Sequence, residues 1–163
     1  MKNNEPAPEG KPAGKPTEGT TKPAFRILVV DDDKYIRRFS AQALMGSGYE
    51  VDAAEDGAAA WEALQIKNYN LLITDNEMPN LTGVELVRKL RSTRMALPVI
   101  MATGRLPTEA LAHNPSLELA ALLPKPLSIG ELLETVRVAL QVSDAPCEPI
   151  EPPGWPSTVP LQT

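Results

Sequence analysis

Hydrophobic positions along the middle of the chain switch between two periods. Arg26-Ile27-Leu28-Val29-Val30 is a short continuous apolar run, as expected of a strand buried on both faces. The stretch 34–45 carries Ile36, Phe39, Ala43 and Leu44 at helical spacing and is closed by Gly46 and Gly48. The alternation then repeats. Strands are predicted over 49–53, 70–74, 98–102 and 121–123, and helices over 58–67, 84–91, 107–119 and 128–141. Trp61 and Leu64 are expected to face inward from the second helix. In the helix over 107–119, Asn114-Pro115 interrupts the pattern at its middle. The last helix opens on Ser128 with Glu131 three residues later, the signature of a capping box. Five strand–helix units in this order predict an α/β protein, a doubly wound five-stranded parallel sheet with helices on both faces.

Composition divides the chain into three. Of 17 prolines, five fall in residues 1–24 and six in 143–163. Residues 1–24 are Lys, Pro, Glu, Gly and Thr with almost nothing to bury, and 143–163 are Pro-rich and acidic. Both are expected to be disordered tails around a domain over 25–142. Net charge is −5 over 163 residues, which invites neither nucleic acid nor an anionic membrane surface. Apolar runs are too short to span a bilayer, and no hydrophobic segment follows Lys2 as a secretory signal would require. The single cysteine, Cys147, has no internal disulfide partner, which fits a cytoplasmic setting.

In a doubly wound sheet, functional groups gather at the carboxyl ends of the strands. Strand one runs into Asp31-Asp32-Asp33, strand three into Asp75, strand four into Thr103 and strand five into Lys125. Carboxylates brought together on one rim repel, and burial raises the cost of their charge. A divalent cation with hard oxygen ligands, Mg²⁺ above all, resolves that conflict. One carboxylate can then attack a phosphoryl donor, while metal, ammonium and hydroxyl share the charge on the phosphoryl oxygens. Singly, each group has a plainer role: Asp33 serves as a helix cap, and Asp75 as the start of a turn. Their conjunction in order, each at its own strand end, carries the functional reading.

The segments Ile27-Leu28-Val29-Val30-Asp31-Asp32-Asp33, Leu72-Ile73-Thr74-Asp75-Asn76-Glu77-Met78-Pro79-Asn80-Leu81-Thr82-Gly83, Val99-Ile100-Met101-Ala102-Thr103-Gly104 and Lys125-Pro126 resemble the receiver domain of bacterial two-component response regulators. Ala54-Glu55-Asp56-Gly57 is similar to the signature that follows strand two, and the single-domain, chemotaxis-regulator kind is the most similar. The resemblance implies a flavodoxin-like sheet of strand order 2-1-3-4-5. It implies Asp75 as phosphoacceptor. It implies Mg²⁺ (or Mn²⁺) held by Asp32 directly, by Asp31 through water, by Asp75 and by the Glu77 backbone carbonyl. Thr103 would hydrogen-bond the phosphoryl oxygen, Lys125 would pair with it, and the Lys125–Pro126 peptide would be cis. Glu77 and Arg105 occupy the two positions that modulate dephosphorylation, and a pair between them is expected across the cleft. Leu122 stands where the family often has a switch aromatic. With Pro115 and Pro124, it implies a reshaped output face.

The function so implied is a stand-alone switch rather than a substrate-turnover enzyme. Its phosphodonor would be a histidine kinase or phosphotransfer protein, its output a downstream protein or onward transfer, with a phosphorylation-dependent dimer as one form of output. The alternative is a phosphorylation-independent scaffold on the same fold. A hydrolase of small phosphoesters shares the chemistry but lacks a cap domain to recognise a molecule. His113, the only histidine, is expected in a loop rather than as a relay donor, and the Trp155 region as a solvated tail.

Overall fold

The computed structural model describes residues 24–105 and 115–144, with side chains as far as 141. Cys147, Trp155, His113 and nearly all of both expected tails therefore lie outside the described residues. Five strands, β1 (Arg26–Val30), β2 (Glu50–Ala54), β3 (Leu71–Thr74), β4 (Val99–Thr103) and β5 (Ala121–Pro124), form one parallel sheet of order β2-β1-β3-β4-β5. The four α-helices described are α1 (Lys34–Gly46), α2 (Gly57–Ile66), α3 (Gly83–Ser92) and α4 (Ile129–Asp144). This is the doubly wound parallel sheet that the alternation predicts, in the flavodoxin-like strand order that the family resemblance implies.

Two cores follow from the two-residue period of the central strands. Leu28, Val30, Leu72 and Met101 point to one face and pack with Leu64 of α2 and Leu86 and Leu90 of α3. Ile27, Val29, Leu71, Ile73, Ile100 and Ala102 point to the other, against Leu44 of α1 and Leu132 and Val136 of α4. Because β1, β3 and β4 are covered on both sides, their apolar runs are continuous; the edge strands β2 and β5 are mixed. Pro124, whose lack of an N–H is tolerated at a sheet edge, ends β5 opposite Thr103.

Three expectations need correction. In α1 the buried positions are Ser40, Ala41 and Leu44, while Phe39 stays 43% exposed. The small side chains let the helix sit close on the sheet and turn its aromatic residue outward. Trp61 is only partly buried, packing at the border of the core, with the Lys89 ammonium 4.5 Å from its ring centre. At the far end, α4 continues to Asp144, two residues into the segment assigned to the C-terminal tail. Of the helix expected over 107–119, residues up to 114 lie outside the described residues. Pro115–Leu117 forms a single 3-10 turn. No helix among the described residues is long and apolar enough to cross a membrane.

Candidate functional site

Backbone hydrogen bonds bring the four strand ends to one rim. The Asp31 amide donates to the Ala54 carbonyl, the Asp75 amide to Val30, and the Lys125 amide to Thr103. Each residue just past a strand is thereby tied to its neighbouring strand, so the side chains of Asp31, Asp75 and Lys125 emerge side by side. Beyond β1 the chain turns into α1, with the Asp33 carboxylate accepting from the amides of Tyr35 at 2.7 Å and Ile36 at 3.2 Å. Beyond β3 it runs through a loop to α3, whose capping box of Thr82 and Glu85 satisfies the first amides. Gly83 is required there: a Cβ would lie 2.2 Å from the Asp75 carbonyl oxygen.

Lys125 is the hub. Its ammonium donates to Asp31 Oδ2 at 2.7 Å and to Asp75 Oδ2 at 2.9 Å, with all three side chains largely withdrawn from water. The remaining oxygens are also held. Asp31 Oδ1 accepts from the Asp33 amide at 2.9 Å, and Asp75 Oδ1 accepts from the amides of Asn76 at 2.6 Å and Glu77 at 3.3 Å. Asp32, beside them, is exposed. Carboxylate oxygens of Asp31, Asp32 and Asp75 lie within 4.8 Å of one another.

The charge balance is uneven, since one ammonium faces three carboxylates. Burial pushes the Asp31 carboxyl above the usual carboxylate range despite the pull of Lys125, and the nearby Asp75 charge adds to the rise. Burial alone would depress Lys125, but its hydrogen bonds to Asp31 and Asp75 outweigh that and hold its pKa up. Three converging carboxylates with hard oxygen donors, one largely solvent-facing, are suited to a small divalent cation such as Mg²⁺.

The two positions expected to modulate dephosphorylation, Glu77 and Arg105, come close to each other. Arg105 Nε comes within 3.9 Å of Glu77 Oε1, and both side chains are exposed. Thr103 is 1% exposed, and its hydroxyl is turned toward the following loop. It donates to the Arg105 carbonyl at 2.9 Å and accepts from the Arg105 amide at 3.3 Å. Leu122 lies on the edge strand, 38% exposed. The Lys125–Pro126 peptide is cis.

Three supporting residues are given no role in the motif reading. Arg37 donates to the Asp31 carbonyl, Asn76 Oδ1 accepts from the Val84 amide, and Asn80 donates to the Asp56 carboxylate that caps α2. For Arg37 a signal was present: a cation in the first turn of a helix opposes the helix dipole and calls for a local acceptor.

A family model for the response regulator receiver domain matches residues 27–137. The chain belongs to that family. The receiver domain protein (CheY-like) of Methanospirillum hungatei superposes with a TM-score of 0.70 at 30% identity, covering 74% of this chain and 97% of that one. Chemotaxis protein CheY4 of Vibrio cholerae gives 0.67 at 30% identity, over 72% and 99%. TrrA of Thermotoga maritima, solved in complex with Mg²⁺-BeF, gives 0.64 at 32%, over 71% and 99%. Response regulator MprA of Mycobacterium ulcerans is 37% identical over 118 residues, 72% of this chain and 51% of that protein. The chain spans about half the length of the curated relatives it matches.

Proposed function

We propose that this receiver domain takes a phosphoryl group on Asp75 from a histidine kinase or phosphotransfer protein, in a Mg²⁺-dependent reaction, and works as a cytoplasmic switch. The observation that carries the reading is the Lys125 ammonium shared between Asp31 and Asp75 beside the exposed Asp32. The Asn76 amide on Oδ1 and the Lys125 ammonium on Oδ2 hold the Asp75 carboxylate in one orientation. In the reaction a carboxylate oxygen of Asp75 forms a bond to phosphorus as the donor's bond breaks, leaving an acyl phosphate on Asp75 and the donor's leaving group free.

The residues suited to holding the cation are Asp31, Asp32, Asp75 and the Glu77 carbonyl. Bound there, Mg²⁺ (or Mn²⁺) supplies positive charge to the phosphoryl oxygens. Lys125 then exchanges its contact with Asp75 for one with a phosphoryl oxygen. Thr103 exchanges the Arg105 carbonyl for another, so its hydroxyl and the loop behind it move together. Glu77 and Arg105, 3.9 Å apart and exposed beside the cluster, are the residues proposed to modulate the lifetime of the adduct. The chain turns over no separate substrate. Its output is a change in binding to a downstream protein, a dimer of the phosphorylated form, or onward transfer. Support for the cation comes from TrrA, whose structure holds Mg²⁺-BeF.

Intact-mass spectrometry after incubation with acetyl phosphate and Mg²⁺ tests the reading. One added phosphoryl mass is expected, absent from Asp75→Asn and from a chelator control. No adduct, with no beryllofluoride binding either, would favour the scaffold reading, in which the exposed Leu122 on β5 serves binding alone.

A further inference from the structure

We infer that Arg37 is a positioning residue for the divalent cation, acting through the backbone of Asp32; this rests on the receiver reading above. Asp32 is the one carboxylate of the cluster whose side chain no hydrogen bond holds among the described residues. Asp31 is held by Lys125 and the Asp33 amide, and Asp75 by Lys125 and the amides of Asn76 and Glu77. What the fold fixes at Asp32 is therefore the direction of its Cα–Cβ bond, and with it the space its carboxylate can reach, through φ and ψ. Those two angles are set by the peptide planes on either side of its Cα. One plane carries the Asp31 carbonyl and the other the Asp32 carbonyl.

Arg37 grips both. Its Nη1 donates to the Asp31 carbonyl at 2.6 Å and reaches the Asp32 carbonyl at 3.4 Å. The Asp33 amide, in the second plane, donates to Asp31 Oδ1. The turn has left β1 and not yet entered α1, so these carbonyls lack ladder partners and rely on the guanidinium. Arg37 borders a hollow lined by Ala53, Ala54, Ala59 and Ala63, small residues on β2 and α2, and by Glu55, with which it forms no ion pair. Among the described residues Arg37 forms no ion pair with a carboxylate; its hydrogen bonds go to the turn. The Arg37 amide also donates to the Asp33 carbonyl, so the turn and the first helical turn close as one unit.

This arrangement gives a test whose sign separates two roles. If Arg37 acted only as a charge, its removal would leave the acidic cluster more negative and tighten Mg²⁺ binding. As a positioning group, its removal frees the Asp32 backbone and weakens binding. Mg²⁺ titration calorimetry on the whole chain should show Arg37→Ala weakened about ten-fold, the lower end of what losing a ligand's supporting partner does. Arg37→Lys, which keeps the charge and can reach one carbonyl, should fall between that variant and the original. At saturating Mg²⁺, phosphorylation by acetyl phosphate should stay within about two-fold, a change in metal dependence rather than in the chemical step. Should Arg37→Ala fold poorly in chelator, Arg37→Gln and Arg37→Lys carry the comparison. Unchanged or tighter Mg²⁺ binding in the Arg37 variants would overturn the inference. Should Asp32→Asn bind Mg²⁺ as the original chain does, the receiver site itself is misassigned, and the Arg37 inference falls with it.

Discussion

Lys125 neutralises, at two hydrogen-bond distances, part of a charge cluster that the fold has drawn out of water. Breaking such a largely buried pair leaves the carboxylates facing one another, at a cost of about 3 kcal/mol. Lys125→Met should show that loss as a lowered denaturation midpoint at neutral pH in chelator, and Mg²⁺ should recover part of it by replacing the missing positive charge. Far from this rim, Tyr69 donates its phenol to Asp52 at 2.8 Å, and Lys67 holds the same carboxylate at 3.0 Å. Burial and the Asp52 bond push Tyr69 up from 10.0 to about 12. The neutral phenol is the form the fold prefers, so its contribution is intact below the unfolded pKa and is lost as pH climbs from about 10 toward 12. Alkaline titration followed by phenolate absorbance should show a late phase belonging to Tyr69. Tyr69→Phe should abolish that phase and flatten the stability loss over the same pH window. Asp31, Asp75, Thr103 and Lys125 were legible because strand ends on one rim must converge. Asn76 and Asn80 were not, because their partners are an amide and a cap whose positions no spacing rule gives, and for Arg37 the charge in a first helical turn called for an acceptor without saying which.

Elements explain why the acceptor loop is held as it is. The loop after β3 is fastened at one end by the Asp75 amide on Val30 and at the other by the start of α3 under the Asp75 carbonyl. A methyl group at position 83 meets backbone atoms at 2.2 and 3.0 Å, which have nowhere to move without displacing Asp75 itself. Gly83→Ala should therefore cost about 3 kcal/mol, at the upper end for overpacking, and slow phosphorylation as well. Thr82→Ala removes only the cap, and should cost about 1 kcal/mol while leaving Asp75 in place. Comparing melting curves with acetyl-phosphate labelling in the two variants separates a stability effect from a change at the site. The cap of α4 was visible in sequence as Ser128 and Glu131: the Glu131 amide donates to the Ser128 hydroxyl at 3.1 Å, while the Glu131 carboxylate accepts from that hydroxyl at 2.9 Å instead of closing the box on the backbone. The face of α1 was not visible. Hydrophobicity favoured Phe39, while close approach to the sheet selected Ser40 and Ala41.

Taken whole, the described residues place two cores on opposite faces of one sheet, and among them every member of either core falls between Phe25 and Leu140. The alternation of short apolar runs with helical stripes was enough to give that sheet and its covering helices, because parallel strands need covered faces and crossover helices. It gave element ends less well, as the extension of α4 to Asp144 shows. A chain trimmed to residues 24–144 keeps every core residue and every group of the cluster built on Asp31, Asp75, Thr103 and Lys125. If stability resides in those two cores, the trimmed chain should melt within about 2 °C of the full one, since a loss of 1 kcal/mol would already shift a domain of this size by roughly 4 °C. It should also take one phosphoryl group on Asp75 at the same Mg²⁺ dependence. A larger drop in melting temperature would mean that residues 1–23 or 145–163 cover apolar surface of the domain, with the outward-facing Tyr35 and Phe39 of α1 the first place to look. An unchanged melting temperature with altered labelling would instead assign those segments a role at the site.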